Sequence, residues 1–222
     1  MKNYASEAER FGSIVLGYQM CEDCRIVDRD RNRCRFGYIC STCGKPSSGG
    51  KSFYGFTVIS IVDLIIEPYY SIIDDDSTPI PDKMRSRYLG SLVFFCTLKE
   101  VLMDSLIESI LIAKKVPESI SNRILRDNSA LNKKFNALFP AVTGSKWDEA
   151  LKIVKDKFNH DYSDLDELLK KTQIQRDEVL HEGAPWIVHR ALIDKCVNSI
   201  ERVLDLFVDL HNAYVHSYHN CI

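Results

Sequence analysis

Five of the eight cysteines lie between Cys21 and Cys43, and four of them pair as Cys21-Glu-Asp-Cys24 and Cys40-Ser-Thr-Cys43 with fifteen residues between the pairs. Two cysteines separated by two residues in a tight turn aim both sulfurs at one point, and two such turns supply a tetrahedron of thiolates. The spacing therefore predicts one structural zinc ion per chain on Cys21, Cys24, Cys40 and Cys43. Four thiolates leave no open coordination position, so this metal is expected to hold structure, not to catalyse. The competing reading is a redox dithiol or a coincidence of spacing. Gly44, directly after Cys43, provides the left-handed backbone that such a turn tends to need. Cys34 is left over, as a small apolar residue on a strand or as an alternative ligand.

The residues between the cysteine pairs carry a second signal. Arg25, Arg29, Arg31, Arg33 and Arg35 are offset only by Asp28 and Asp30, and Phe36 and Tyr38 follow in alternation. Arginine beside aromatics suits single-stranded nucleic acid, through phosphate contact and base stacking. Arg31, Arg33, Arg35, Phe36 and Tyr38 are thus candidate RNA contacts, set against the plainer reading of a solvated charged hairpin. A superficially similar signal fails: Gly44 to Ser52 resembles a phosphate-binding loop, but five residues stand where the motif has four, and no apolar strand leads into it.

A third group lies far along the chain, in Gln175-Arg-Asp-Glu-Val-Leu-His-Glu-Gly183. Leu165, Leu168/Leu169, Thr172, Arg176 and Val179/Leu180 follow a helical step, so Arg176 occupies a place in an apolar stripe. A charged group in such a stripe calls for a partner or a purpose. His181 falls in the last helical turn, where free carbonyls favour a cationic imidazole. Five positions do not share one helical face, so Arg176 and His181 converge only if the helix ends or bends between them, which Gly183 and Pro185 permit. The alternative is an Arg176 paired with an interior acid such as Asp104 or Glu108, with His181 as a simple C-terminal cap.

The elements that must carry these groups divide the chain in two. Ser13–Met20, Arg33–Cys40 and Phe53–Ile59 are β-prone, which predicts a small zinc-ribbon sheet over 10–60 whose folding energy comes from the metal. Residues 61–82 form a connecting segment. It is apolar up to Ile73, as strand or helix, and then a loop rich in Asp, Ser and Pro, after which Pro81-Asp82 opens a helix. Over 83–222 the period becomes helical. Phe95, Leu98, Leu102, Leu106 and Ile110 make one stripe, and Pro117 starts a helix carrying Ile120, Ile124, Leu131, Phe135 and Leu138. Trp147, Leu151, Val154 and Phe158 mark a short helix, and another runs from Ser163 to about Glu182. The last has Ile193, Val197, Ile200, Leu204, Phe207, His211, Tyr214 and Tyr218 in steps of four and three, a bundle seam. His211 in that seam reads as a hydrogen-bonded core residue. The prediction is a mainly α protein: an up-and-down bundle of four or five helices preceded by a small zinc-ribbon β element.

With Asp177 directly after Arg176 and His181 four residues further, at the end of the penultimate long helix of a small bundle, the segment resembles the R-x4-6-H motif of the HEPN superfamily. The resemblance covers about 83–222, with the ribbon outside the family's core. It implies a metal-independent endoribonuclease that cleaves RNA by attack of the ribose 2′-OH on the adjacent phosphate. In that chemistry His181 moves a proton, Arg176 binds the charged phosphorane and Asp177 orients one of them. It also implies a homodimer through the helical bundle, a role as a toxin or anti-phage effector, and an antitoxin or nucleotidyltransferase partner. Some members of the family are non-catalytic RNA- or protein-binding adaptors.

Composition sets the outer limits. The chain has 222 residues, 45% hydrophobic and 27% charged, which is ordinary for a globular protein. A net charge of −2 excludes a histone-like, charge-driven nucleic-acid binder. The opening residues lack an apolar core of signal-peptide length, and no run reaches the ~18 apolar residues of a membrane span. The expectation is a soluble cytoplasmic protein with no membrane partner.

Overall fold

The computed structural model describes residues 4–29, 38–40, 42–47, 51–73, 81–183 and 188–219. The fold is mainly helical, with short strands around the paired cysteines. Two compact units share the chain. One comprises Met1–Leu16, Tyr54–Lys99 and Asp164–Val203; the other comprises Gly17–Phe53, Glu100–Ser163 and Leu204–Ile222. These units are not the sequential segments 10–60, 61–82 and 83–222 that composition suggested, because two long helices each contribute to both.

In the first unit, helix α1 (Tyr4–Leu16) packs on α2 (Phe56–Ile73). Glu7, Phe11, Ile14 and Val15 of α1 are buried at helical spacing, and Tyr4 donates a 2.7 Å hydrogen bond to Asp63 of α2. Both helices correct a strand expectation. Residues 13–16 belong to α1, leaving only Gln19–Met20 as strand. The Phe53–Ile59 run is β-prone in isolation, but Val58, Ile61/Val62, Ile65/Ile66 and Tyr70 continue a helical period that buries one face of α2. Pro68 lies inside α2 and cannot donate its backbone bond. Nearby, the Ser91 hydroxyl of α3 (Pro81–Ala113) donates to the Ile65 carbonyl at 2.8 Å. At Gly90, the residue before Ser91, a Cβ would stand 4.0 Å from the Pro68 ring. Helix α8 (Ser163–Glu182) buries Leu165, Leu169, Thr172 and Val179. The N-terminal part of α9 (Arg190–His219) completes this unit with Ile193, Cys196, Val197 and Ile200 buried.

In the second unit, β1 (Gln19–Met20) pairs antiparallel with β2 (Val27–Asp28) and with β5 (Lys51–Ser52), giving the order β2-β1-β5. Strands β3 (Tyr38–Ile39) and β4 (Pro46–Ser47) form a separate antiparallel hairpin. The C-terminal parts of α3 and α9 supply buried Leu102, Leu106, Ile110, Leu204 and Phe207. The helix expected from Pro117 to Pro140 is broken into α4 (Glu118–Asp127), α5 (Leu131–Lys133), a π-helical turn over Lys134–Leu138, and α6 (Phe139–Thr143). Asn128 ends α4, with its side-chain amide donating to the Ile124 carbonyl at 2.9 Å, a local bond that competes with helix continuation. Trp147 opens α7 (Trp147–Phe158) and anchors an aromatic cluster, edge-to-face with Phe135 and Phe139 at 4.5 and 5.5 Å between centroids. None of the described helices is long and apolar enough to cross a membrane.

Candidate functional site

The four predicted cysteines converge. Among the described residues, the sulfurs of Cys21, Cys24, Cys40 and Cys43 lie within 4.8 Å of one another, with Cys21 to Cys43 at 3.7 Å and Cys24 to Cys40 at 3.5 Å. These separations are too long for disulfides. They match the edge of a tetrahedron of thiolates at ~2.3 Å from a central zinc, which is about 3.8 Å. The arrangement is a group able to hold one metal ion with no position left over.

Each pair sits in the same backbone turn. Cys21 N–H donates to the Ile26 carbonyl at 2.9 Å and Arg25 N–H to the Cys21 carbonyl at 3.0 Å; Cys40 N–H donates to the Lys45 carbonyl at 3.0 Å and Gly44 N–H to the Cys40 carbonyl at 2.9 Å. The residue after the second cysteine of each pair is left-handed, Gly44 at φ 69° as expected and Arg25 at φ 61°. A side chain there costs about 1–2 kcal/mol relative to the right-handed region, so the first turn stands only because other contacts hold it. Burial pushes the Cys40 thiol up, but the N–H groups of Cys43 and Thr42 outweigh it and bring the thiol down to about 7. Burial pushes Cys24 up.

The first turn is fixed to α9 by contacts that sequence reasoning missed. Asn212 accepts from Val27 N–H at 2.8 Å and donates to the Val27 carbonyl at 2.9 Å, so its amide acts as one more strand beside β2. The imidazole Nε2 of His211 lies 2.8 Å from the Arg25 carbonyl, and its ring meets Phe53 edge-on at 4.7 Å. That fulfils the reading of His211 as a hydrogen-bonded core residue. Arg29 forms ion pairs with Asp205 and Asp209. Asp209, 4% exposed, also receives Tyr162 Oη at 2.8 Å and contacts His160 Nδ1 at 2.8 Å. Tyr18 donates to Asp205 at 2.8 Å. One signal for this was legible: Asp205, Asp209 and Asn212 recur at helical spacing within a nearly unbroken apolar run. Among the proposed RNA contacts, Arg31, Arg33, Arg35 and Phe36 lie outside the described residues, as does Cys34. Tyr38 is described only as backbone in β3.

The Arg176 group lies in the last two turns of α8, which runs unbroken to Glu182 and stops at Gly183, left-handed at φ 67°. The helix therefore ends after His181 and not between it and Arg176. At 100° per residue, five positions place the two Cα–Cβ directions about 140° apart. Asp177 spans that gap. Its Oδ1 accepts Arg176 Nη1 at 3.1 Å and Gln173 Nε2 at 3.2 Å, and it sits one turn before His181, about 40° away on the same stripe. Asp177 thus holds the guanidinium one turn before His181. Arg176 is 26% exposed and Asp177 48% in their side chains, and His181 is exposed. Of the two acids offered as alternative partners, Asp104 holds the buried Lys134 at 2.6 Å and Glu108 is exposed.

Compared with protein families, curated proteins and solved structures, the chain matches none.

Proposed function

We propose that this chain is an RNA-cleaving protein of the HEPN type, with zinc at Cys21, Cys24, Cys40 and Cys43 as a structural ion. The observation that carries the reading is the hydrogen-bonded Arg176–Asp177–Gln173 set one turn before an exposed His181 on the final turns of α8. Arg176, a rigid fork of donors with one arm turned by Asp177, binds the phosphate and the charged phosphorane. His181, reachable by solvent at the carbonyl end of the helix, takes the proton of the 2′-OH or returns one to the leaving oxygen. A second copy, related by a two-fold axis, brings another such pair to the same phosphodiester. Four thiolates within 4.8 Å of one another support the choice of zinc, a metal such soft ligands suit.

The test is cleavage of single-stranded RNA by the purified full chain without divalent metal, comparing wild type with Arg176→Ala and His181→Ala. Both variants lose cleavage while retaining the helical signature of the parent. A second reading, a non-catalytic RNA- or protein-binding adaptor, is favoured by the angular separation of Arg176 and His181 on an unbroken helix. Under it, the same variants bind their partner as the parent does and no RNA is cut by any of the three.

A further inference from the structure

We infer that metal binding at the cysteine centre controls the order of the C-terminal half of α9, with Arg25 as the transmitting residue. This rests on the metal reading of the four cysteines and not on RNA cleavage. The chain of contacts is short. Cys21 and Cys24 frame a turn whose closing residue, Arg25, is held in the left-handed region without being glycine. That conformation aims the Arg25 carbonyl at the fully buried His211 of α9. Two residues on, Val27 offers both its N–H and its carbonyl to Asn212, and Arg29 reaches Asp205 and Asp209.

The partners on α9, at 205, 209, 211 and 212, span two turns of the helix and all meet one strap of chain, 25–29. The second cysteine turn is anchored differently: Cys43 is exposed, and the exposed ion pair of Lys45 with Asp23 links it back to the first. A metal bridging both turns fixes the strap. When the metal is withdrawn, the strain at Arg25 relaxes, its carbonyl leaves His211, and the polar groups on α9 lose partners that burial makes costly to replace. The centre is a metal-dependent clamp on one helix, more than a staple within a ribbon.

The experiment is amide hydrogen exchange on the full chain, zinc-loaded and after zinc removal by a strong chelator in reductant, with zinc content measured in parallel. The expected result is a loss of protection of roughly tenfold or more in amides 204–214 on zinc removal, with amides 92–98 of the other unit changed by less than about threefold. Asn212→Ala supplies the second arm: it retains zinc and exchanges rapidly over 204–214 with or without the metal. Stoichiometric zinc with unchanged protection at 204–214 overturns this inference alone. So does an equal loss of protection in all segments, which makes the metal a general stabiliser. A chain that takes up no zinc removes both the metal reading and the clamp.

Discussion

The side-chain amide of Asn212 on α9 meets the backbone of Val27 through both hydrogen bonds that a neighbouring β-strand would make, at 2.8 and 2.9 Å. A single side chain thus ends the sheet order at β2 and joins the cysteine turn to a helix far along the chain. Replacement by alanine removes two bonds and leaves a backbone N–H and a carbonyl without their partners, costing about 1–3 kcal/mol. Urea unfolding of Asn212→Ala checks this. A midpoint within error of the parent contradicts it.

Asp209 carries a heavier load. A nearly buried carboxylate there gathers Arg29, His160 and Tyr162. Asp209→Asn keeps the shape but removes the charge that Arg29 faces, and breaking such a pair costs about 3–5 kcal/mol. The effect is read as a lowered unfolding midpoint at neutral pH. Asp164, by contrast, is exposed beside Arg202 at 2.7 Å, and Asp164→Asn changes stability by less than about 1 kcal/mol.

Two tyrosines give a pH dependence with a fixed sign. The hydrogen bond of Tyr4 to Asp63, with burial adding, pushes its phenol up to about 12, and burial, with Glu7 adding, pushes Tyr70 up to about 12. Both shifts are upward from 10.0. The unfolded chain therefore releases these protons first, so the stability they carry is whole below pH 10 and drains away between pH 10 and 12. Unfolding free energy measured from pH 9 to 11.5 falls with rising pH, and Tyr4→Phe makes that fall shallower. An unaltered slope in the variant contradicts the assignment.

Much of this architecture is legible in the residues, and what is not has physical causes. The cysteine pairs, α7, α8 and the seam of α9 announce themselves because local spacing and long apolar period agree. Helix α1 does not. Its sequence ends in Ser-Ile-Val-Leu, which favours strand, and only packing against α2 settles it as helix. The break after Asp127 is set by Asn128 turning its amide back onto the helix, a choice that hydrophobic period does not register. The Arg25 turn was equally hidden, since a left-handed arginine is visible only by analogy with Gly44. In the candidate site, Arg176 and His181 are legible as types and spacing. The contacts of Asp177 with Arg176 and Gln173 needed coordinates, because they depend on side-chain rotamers that spacing does not fix.

The cysteine centre makes its own forecast. Metal uptake displaces thiol protons, so zinc affinity rises with pH. Cys40→Ser leaves three of the four thiolates and therefore weakens the thiolate-to-metal absorption of a cobalt-substituted sample relative to the parent. An absorption undiminished in the variant contradicts binding by all four thiolates.

The most direct test of the whole account is the chemical nature of the RNA ends left by the purified full chain in metal-free buffer. The account predicts fragments ending in a 2′,3′-cyclic phosphate, made by the parent and reduced at least about a hundredfold in His181→Ala and in Arg176→Ala. Fragments bearing other ends, or cutting that persists in both variants at the parental rate, contradicts the proposed chemistry on α8.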